Sequence, residues 1–287
     1  MIEQTRRRSA VRDAADVIVL AVIGFGVLAL TVFLALRTSV GVRLDTDVVA
    51  SFAVDHFNPG RINALLGEIR IVPMMLLTLL AMAIAAAQQL WRVAISLPLL
   101  VVGANQTTQL LKLDYLPELA GTEVERVTMP SGHSTAALSL AAVAIIAAPR
   151  VIRPFACLMG GAIAGGAGLG TMAEQWHKPA DVISAVAVVL IWSAVAIIIG
   201  AQWVEKPRVR AAGFDRGVGN TALAVVGVGI GVYVLHRLGM APLDGSRAHT
   251  LVYGSLAVVG VTIGLGLGLI ALVAERRIFR TEGRHGD

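Results

Sequence analysis

Three short segments of this chain hold residues whose types and spacing suit chemistry on a phosphate. The first is "MPSGHSTAA", in which Pro130, Ser131, Gly132, His133 and Ser134 open an apolar stretch. Pro suits the first turn of a helix, and Ser is a good cap. The free N–H groups of such a turn favour an anion. Gly132 lets a ligand approach the backbone, and His133 can gain or lose a proton near neutral pH. Together they describe a phosphate cradle with an acid beside it. The second segment is "EQWHKPADV", with His177 and Asp181 four residues apart and Pro179 marking a first helical turn. A carboxylate on one ring nitrogen fixes the tautomer and leaves the other nitrogen free to attack. The third is Lys112, after "NQTTQLL". Asn105, Gln109 and Lys112 lie at i, i+4 and i+7 on one helix face, and the ammonium could neutralise a phosphate.

Each segment alone has a plainer reading as a helix cap or an interfacial lysine. Their joint placement depends on the elements that carry them. Of the 287 residues, 56% are hydrophobic and 15% charged, and the mean hydropathy is +0.76. Soluble domains run nearer a quarter charged, whereas ~20 apolar residues in a helix cross a bilayer. The apolar runs predict eight spans: Val17–Leu36, Ile71–Ala87, Val93–Leu111, Ser134–Ala148, Val151–Ala173, Ala180–Trp203, Asn220–Leu238 and Thr250–Ala274. The fourth is short and could start earlier, at Pro130. The first is read as a retained helix, because "RTSVGVRLD" after it lacks a small-x-small cleavage site. The expected fold is all-α, a polytopic membrane helical bundle. Residues 1–218 would form a six-helix core, and 219–287 a two-helix extension with a cytoplasmic tail.

With the N-terminus placed inside, 15 of the 24 basic residues fall on the inner side, in the N-terminal segment, the Glu205–Gly219 connection, the C-terminal tail and at Arg92, Arg150 and Arg153. The positive-inside rule then puts both termini in the cytoplasm. The three chemical segments come together at the outer face of a multi-pass plasma-membrane protein. The segment Arg37–Arg70, with Asp45, Asp47, Asp55 and His56, is placed to cover them. The formal charge of +5 is explained by these flanks and needs no nucleic-acid partner. The single cysteine, Cys157, lies in an apolar run, so no disulfide framework is available. "GGAIAGGAGLGT" (Gly160–Thr171) lacks the Lys-Ser/Thr ending of a phosphate loop. Gly161 with Gly165, and Gly166 with Gly170, instead fit small-xxx-small helix packing, and "GLGLGL" near Gly264 is read the same way.

At these residues the chain resembles the type 2 phosphatidic acid phosphatase (PAP2) superfamily of membrane lipid phosphatases. That family carries a lysine-led motif ending in Arg-Pro, then PSGH, then Ser-Arg, five residues, His, three residues and Asp. PSGH is complete at Pro130–His133, and His177 and Asp181 keep the third motif's spacing. The likeness covers about Val17–Trp203. It implies that His177 is the nucleophile, forming a phosphohistidine, and that Asp181 orients it. His133 would protonate the leaving group, and Lys112, Ser131 and Gly132 would hold the phosphate. The substrate would be a lipid phosphate in the bilayer, with no metal and no cofactor. The chain departs from the pattern where Thr171 and Gly170 stand for the third-motif arginine and serine, and where Glu118 and Leu119 follow Lys112 in place of Arg-Pro. Arg126 and Lys178 are the expected substitute cations for phosphate binding. A phosphotransferase on the same site and a non-catalytic lipid-binding protein are the alternatives; a transporter is weaker, since few charges lie inside the spans.

Overall fold

A backbone in hydrocarbon must satisfy its own N–H and C=O groups, so apolar runs of this length become helices. The computed structural model describes residues 2–53, 64, 66, 67, 71–122, 124, 126–201, 212–239 and 247–278. Among these residues the fold is all-helical, without strands. The helices are α1 (Ile2–Arg37), α2 (Ser39–Ala53), α3 (Ile71–Ala87), α4 (Trp91–Leu110), α5 (Leu116–Leu119), α6 (Gly132–Ala147), α7 (Arg153–Ala173), α8 (Pro179–Gly200), α9 (Ala212–Gly239) and α10 (Arg247–Arg277). A π-helical turn, Leu111–Tyr115, joins α4 to α5 and carries Lys112.

Among the described residues all eight expected segments fall on helices; Gln202 and Trp203, at the end of the sixth, lie outside the described residues. Among the described residues five helical stretches are long and apolar enough to cross a membrane: 15–37, 153–173, 179–200, 216–235 and 250–277. The other three differ from the expectation. α3 and α6 are apolar but shorter, at 17 and 16 residues. α4 has 20 residues, but Asn105 to Gln109 make its last turns polar. Those polar groups bond to neighbouring helices: Asn105 Nδ2 donates to Ser139 Oγ (3.4 Å), Thr108 pairs with Thr135 (2.9 Å), and Trp192 Nε1 donates to Thr107 Oγ1 (3.0 Å).

α6 is the inner helix, buried along most of its length and packed by α3, α4, α7, α8 and α10. α1 and α4 lie against α8, while α9 runs along α7 and against α10. Small residues allow the α7–α9 contact. A Cβ on Gly161 would run into the Ala224 carbonyl, and one on Gly227 into the Leu158 carbonyl. Close backbone approach of this kind is how helices associate where solvent gives no hydrophobic drive. The expected packing role of Gly161 and Gly165 therefore holds, with Gly165 against Val228. Large apolar side chains, among them Val22, Phe25 and Phe33 of α1 and Met75, Leu76 and Leu80 of α3, point out of the bundle, a surface suited to acyl chains.

One end of the bundle is sealed by charge. The last carbonyls of α6 need partners from outside the helix. Arg153 donates to Ile145 O (3.1 Å) and Ala148 O (2.7 Å), and Gln88 to Ala147 O (2.8 Å). Glu275 of α10 pairs with Arg153 and, at 2.8 Å, with Arg150. The opposite end gathers the starts of α6 and α8 and the turn after α4.

Candidate active site

The site end is built around one carboxylate. α7 stops at Ala173, and Gln175 takes the left-handed conformation (φ 59°) that commonly closes a helix. Trp176 and His177 N–H groups then turn back to Thr171 O (3.0 and 3.2 Å). This turn holds the imidazole of His177 over the start of α8. Asp181 sits in the first turn of α8, and its Oδ2 meets His177 Nδ1 at 2.9 Å. The same oxygen accepts from the Lys178 N–H (3.1 Å) and from Thr128 Oγ1 (2.6 Å). His177 is 7% exposed and Asp181 2%, so the pair is screened little by water. An Nδ1–H donating to the carboxylate leaves Nε2 with its lone pair, the tautomer a nucleophilic histidine requires.

Backbone bonds lock the PSGH segment to this pair. Ser131 N–H donates to Asp181 O (2.9 Å), and Ser184 Oγ donates to the same carbonyl (3.0 Å). Ser131 caps α6, its Oγ accepting from Ser134 N–H (3.3 Å) and Ser134 Oγ (2.8 Å). Pro130 stands before that cap, so it is not in the first helical turn as the sequence suggested. Ser131 is fully buried, and both its N–H and its hydroxyl oxygen are engaged within the protein. The first-turn N–H groups of Gly132 and His133 have no backbone partner among the described residues and head the open end of α6. Gly132 has only the Gln109 amide near its missing side chain, at 3.6 Å from a built Cβ. The His133 ring lies 5.4 Å from that of Trp176 and tilted to it, with His177 and Lys112 in electrostatic reach.

The start of α8 is different. Pro179 has no N–H, Lys178 N–H goes to Asp181, and Ala180 N–H donates to Asp45 Oδ1 of α2 (3.2 Å). Two helix termini do meet here, but only that of α6 has N–H groups left for an anion. Of the expected site residues, His177, Asp181, Ser131, Gly132, His133 and Lys112 thus share one end of the bundle. Lys178 flanks the pair through its backbone and acts electrostatically on Asp45. Arg126 is exposed, and no hydrogen bond or ion pair joins it to the site among the described residues. Arg37 donates to Leu119 O (3.3 Å), bringing a guanidinium to the segment after Lys112. Thr128 and Asp45 were not singled out as site residues. A hydroxyl two residues before PSGH was a signal for the first; for the second, α2 lies within the segment expected to cover the site, while Asp55 and His56 fall outside the described residues. Among the described residues no three His, Cys, Asp or Glu side chains gather to hold a metal ion.

In comparison with protein families, residues 102–205 match the PAP2 superfamily. That interval runs from α4 past the end of α8 and contains every expected site residue. No curated protein matches the chain. No solved structure matches it.

Proposed function

We propose that this chain, matched to the PAP2 superfamily over residues 102–205, is an integral-membrane lipid phosphatase working through a phosphohistidine. The match and the membrane-length helices already point to a membrane protein of phosphatase type. The observation that carries the finer reading is the double use of Asp181. Its carboxylate holds the His177 ring, and its carbonyl holds Ser131 at the start of the cradle. Nucleophile and phosphate site are thereby fixed to one residue, as positioning catalysis demands.

In this reading His177 Nε2 attacks the phosphorus and the bond to the leaving oxygen breaks, with His133 supplying the proton that this oxygen takes. Asp181 stabilises the imidazolium that forms. Water then attacks the phosphorus, giving its proton to His133, and the phosphorus–nitrogen bond breaks, which releases phosphate and restores both imidazoles. Gly132 and His133 N–H groups, Lys112, Arg126 and Lys178 balance the phosphate charge. A lipid phosphomonoester or diphosphate, of polyprenyl or glycerolipid type, would present its headgroup at the depth of these helix ends. The site faces outward in this reading, with both termini in the cytoplasm and residues 219–287 as an extension on a core of 1–218.

The test is phosphate release from a panel of lipid phosphates by the purified chain without added metal. His177→Ala should abolish release and the acid-labile, base-stable label left by ³²P substrate. Asp181→Asn should cost about 10²–10⁴ in kcat. Replacing Arg126 and Lys178 together with Ala should lower turnover; an unchanged rate removes them from the site. The missing motif arginines favour a second reading, a lipid-phosphate binder without turnover. It would be chosen if lipid phosphates bound and no phosphohistidine formed.

A further inference from the structure

The start of α8 has one more partner that neither the motifs nor the reaction scheme uses. Asp45 comes from α2, 135 residues away in sequence from the backbone N–H it accepts at Ala180. It is 9% exposed, and a carboxylate is seldom buried so far without a partner. Its partner is the residue next to Asp181. Asp45 therefore occupies the only free donor of that helix start, Pro179 having none and Lys178 N–H being used by Asp181. Two carboxylates then stand at one helix terminus. Asp181 faces the His177 ring, and Asp45 sits beside Asp181 and within reach of Lys178.

We propose that Asp45 is a positioning residue for the His177–Asp181 pair: by capping Ala180 it fixes the turn that aims Asp181 at the ring, and its carboxylate adds a second negative charge near the imidazole. The cap also closes the α8 terminus to an anion, which leaves the α6 terminus as the place for a phosphate. Burial and the charge of Asp181 hold the Asp45 proton up to about 7, against the pull of the Ala180 N–H and Lys178. The other elements packed on α2, namely α1, α7 and α10, bring no charge that acts on it among the described residues. Asp45 is thus a group whose charge changes near neutral pH beside Asp181, the residue that holds the His177 ring.

This inference rests on the phosphatase reading only for its effect on rate, so its test does not need turnover. The full chain, labelled with ¹⁵N-histidine in detergent micelles, is titrated as wild type and Asp45→Asn, with His177→Ala assigning the signal. Asn keeps an acceptor for Ala180 and removes the charge. The His177 midpoint is expected to fall by about half a unit or more. Hydrogen exchange of the peptide spanning His177–Ser184 is measured in Asp45→Ala, which loses the acceptor. Ala180 should exchange at least about tenfold faster than in wild type or Asp45→Asn. A His177 midpoint that stays put, or exchange that is equal in all three proteins, overturns the proposal. If the wild type releases phosphate, the acid limb of kcat/KM should follow the His177 midpoint. If it releases none, the phosphatase reading fails while both measurements on Asp45 still stand.

Discussion

The Asp181 carboxylate bonds to His177, Lys178 N–H and Thr128, and its carbonyl accepts from Ser131 and Ser184, so the separate parts of the site meet at one residue. The shortest is the Thr128 hydroxyl at 2.6 Å, a hydrogen bond to a charged acceptor worth about 1.5–3 kcal/mol. Thr128→Val keeps the shape and removes the donor. We expect kcat for a lipid phosphate to fall by about 10–100-fold with little change in KM, and Thr128→Ser to recover most of it. Equal kcat in Thr128→Val and wild type would show that the hydroxyl does not support the carboxylate. Asp45 gives a prediction on stability. An acid held to about 7 in the fold, from an ordinary 3.8, binds its proton more tightly folded than unfolded. Its contribution therefore falls as pH rises from 3.8 toward 7, and stays flat above. Asp45→Asn lacks that loss. Its melting temperature in detergent should gain on wild type across this interval and hold the gain at higher pH; a constant difference across pH would contradict the raised value.

At the scale of elements, the site depends on helices brought close by glycine. α7 ends at the turn that presents His177, and its other face is pressed against α9 through Gly161, Gly165, Gly227 and Gly231. Gly227 and Gly229 lie on the same helix with opposite surroundings. A Cβ at 227 meets the Leu158 carbonyl, while nothing lies within 4 Å of one at 229. Gly227→Ala should therefore destabilise the protein by about 1–3 kcal/mol through overpacking. Gly229→Ala should be neutral or gain up to about 1 kcal/mol from helix propensity. Thermal melts followed by detergent size-exclusion chromatography compare the two. Equal shifts would mean that α7 and α9 do not pack as described. The expectation of packing glycines was legible because small residues recurred four apart. The helical state of Ser39–Ala53 was not, since that stretch mixes Asp45, Asp47 and Arg43 with apolar residues, and its burial comes from α1, α7, α8 and α10.

Across the whole molecule, the two ends are distinct: one is sealed by Arg153, Glu275 and Arg150, and the other holds the site. Their sidedness is open to direct measurement. Cys157 is fully buried, which leaves a quiet background for thiol labelling. Thr122 and Val151 are exposed at the site end and the sealed end respectively. A membrane-impermeant maleimide on intact cells should label Thr122→Cys and spare Val151→Cys until the membrane is opened; the reverse pattern would turn the site inward. Hydropathy alone determined that the chain is helical and membrane-spanning, because hydrocarbon leaves an apolar backbone few other states. Spacing brought His177 and Asp181 close, one just before a helix start and one in its first turn, and the turn back to Thr171 O completed their contact. Tertiary structure decided the rest. It spent the Ser131 N–H and hydroxyl on internal bonds, brought Thr128 to the carboxylate across 53 residues, and filled the α8 terminus with Asp45. The sequence named two helix starts able to hold a phosphate. Only the packing of α2 against one of them left the other free, because a donor already bonded within the fold has nothing to offer a ligand.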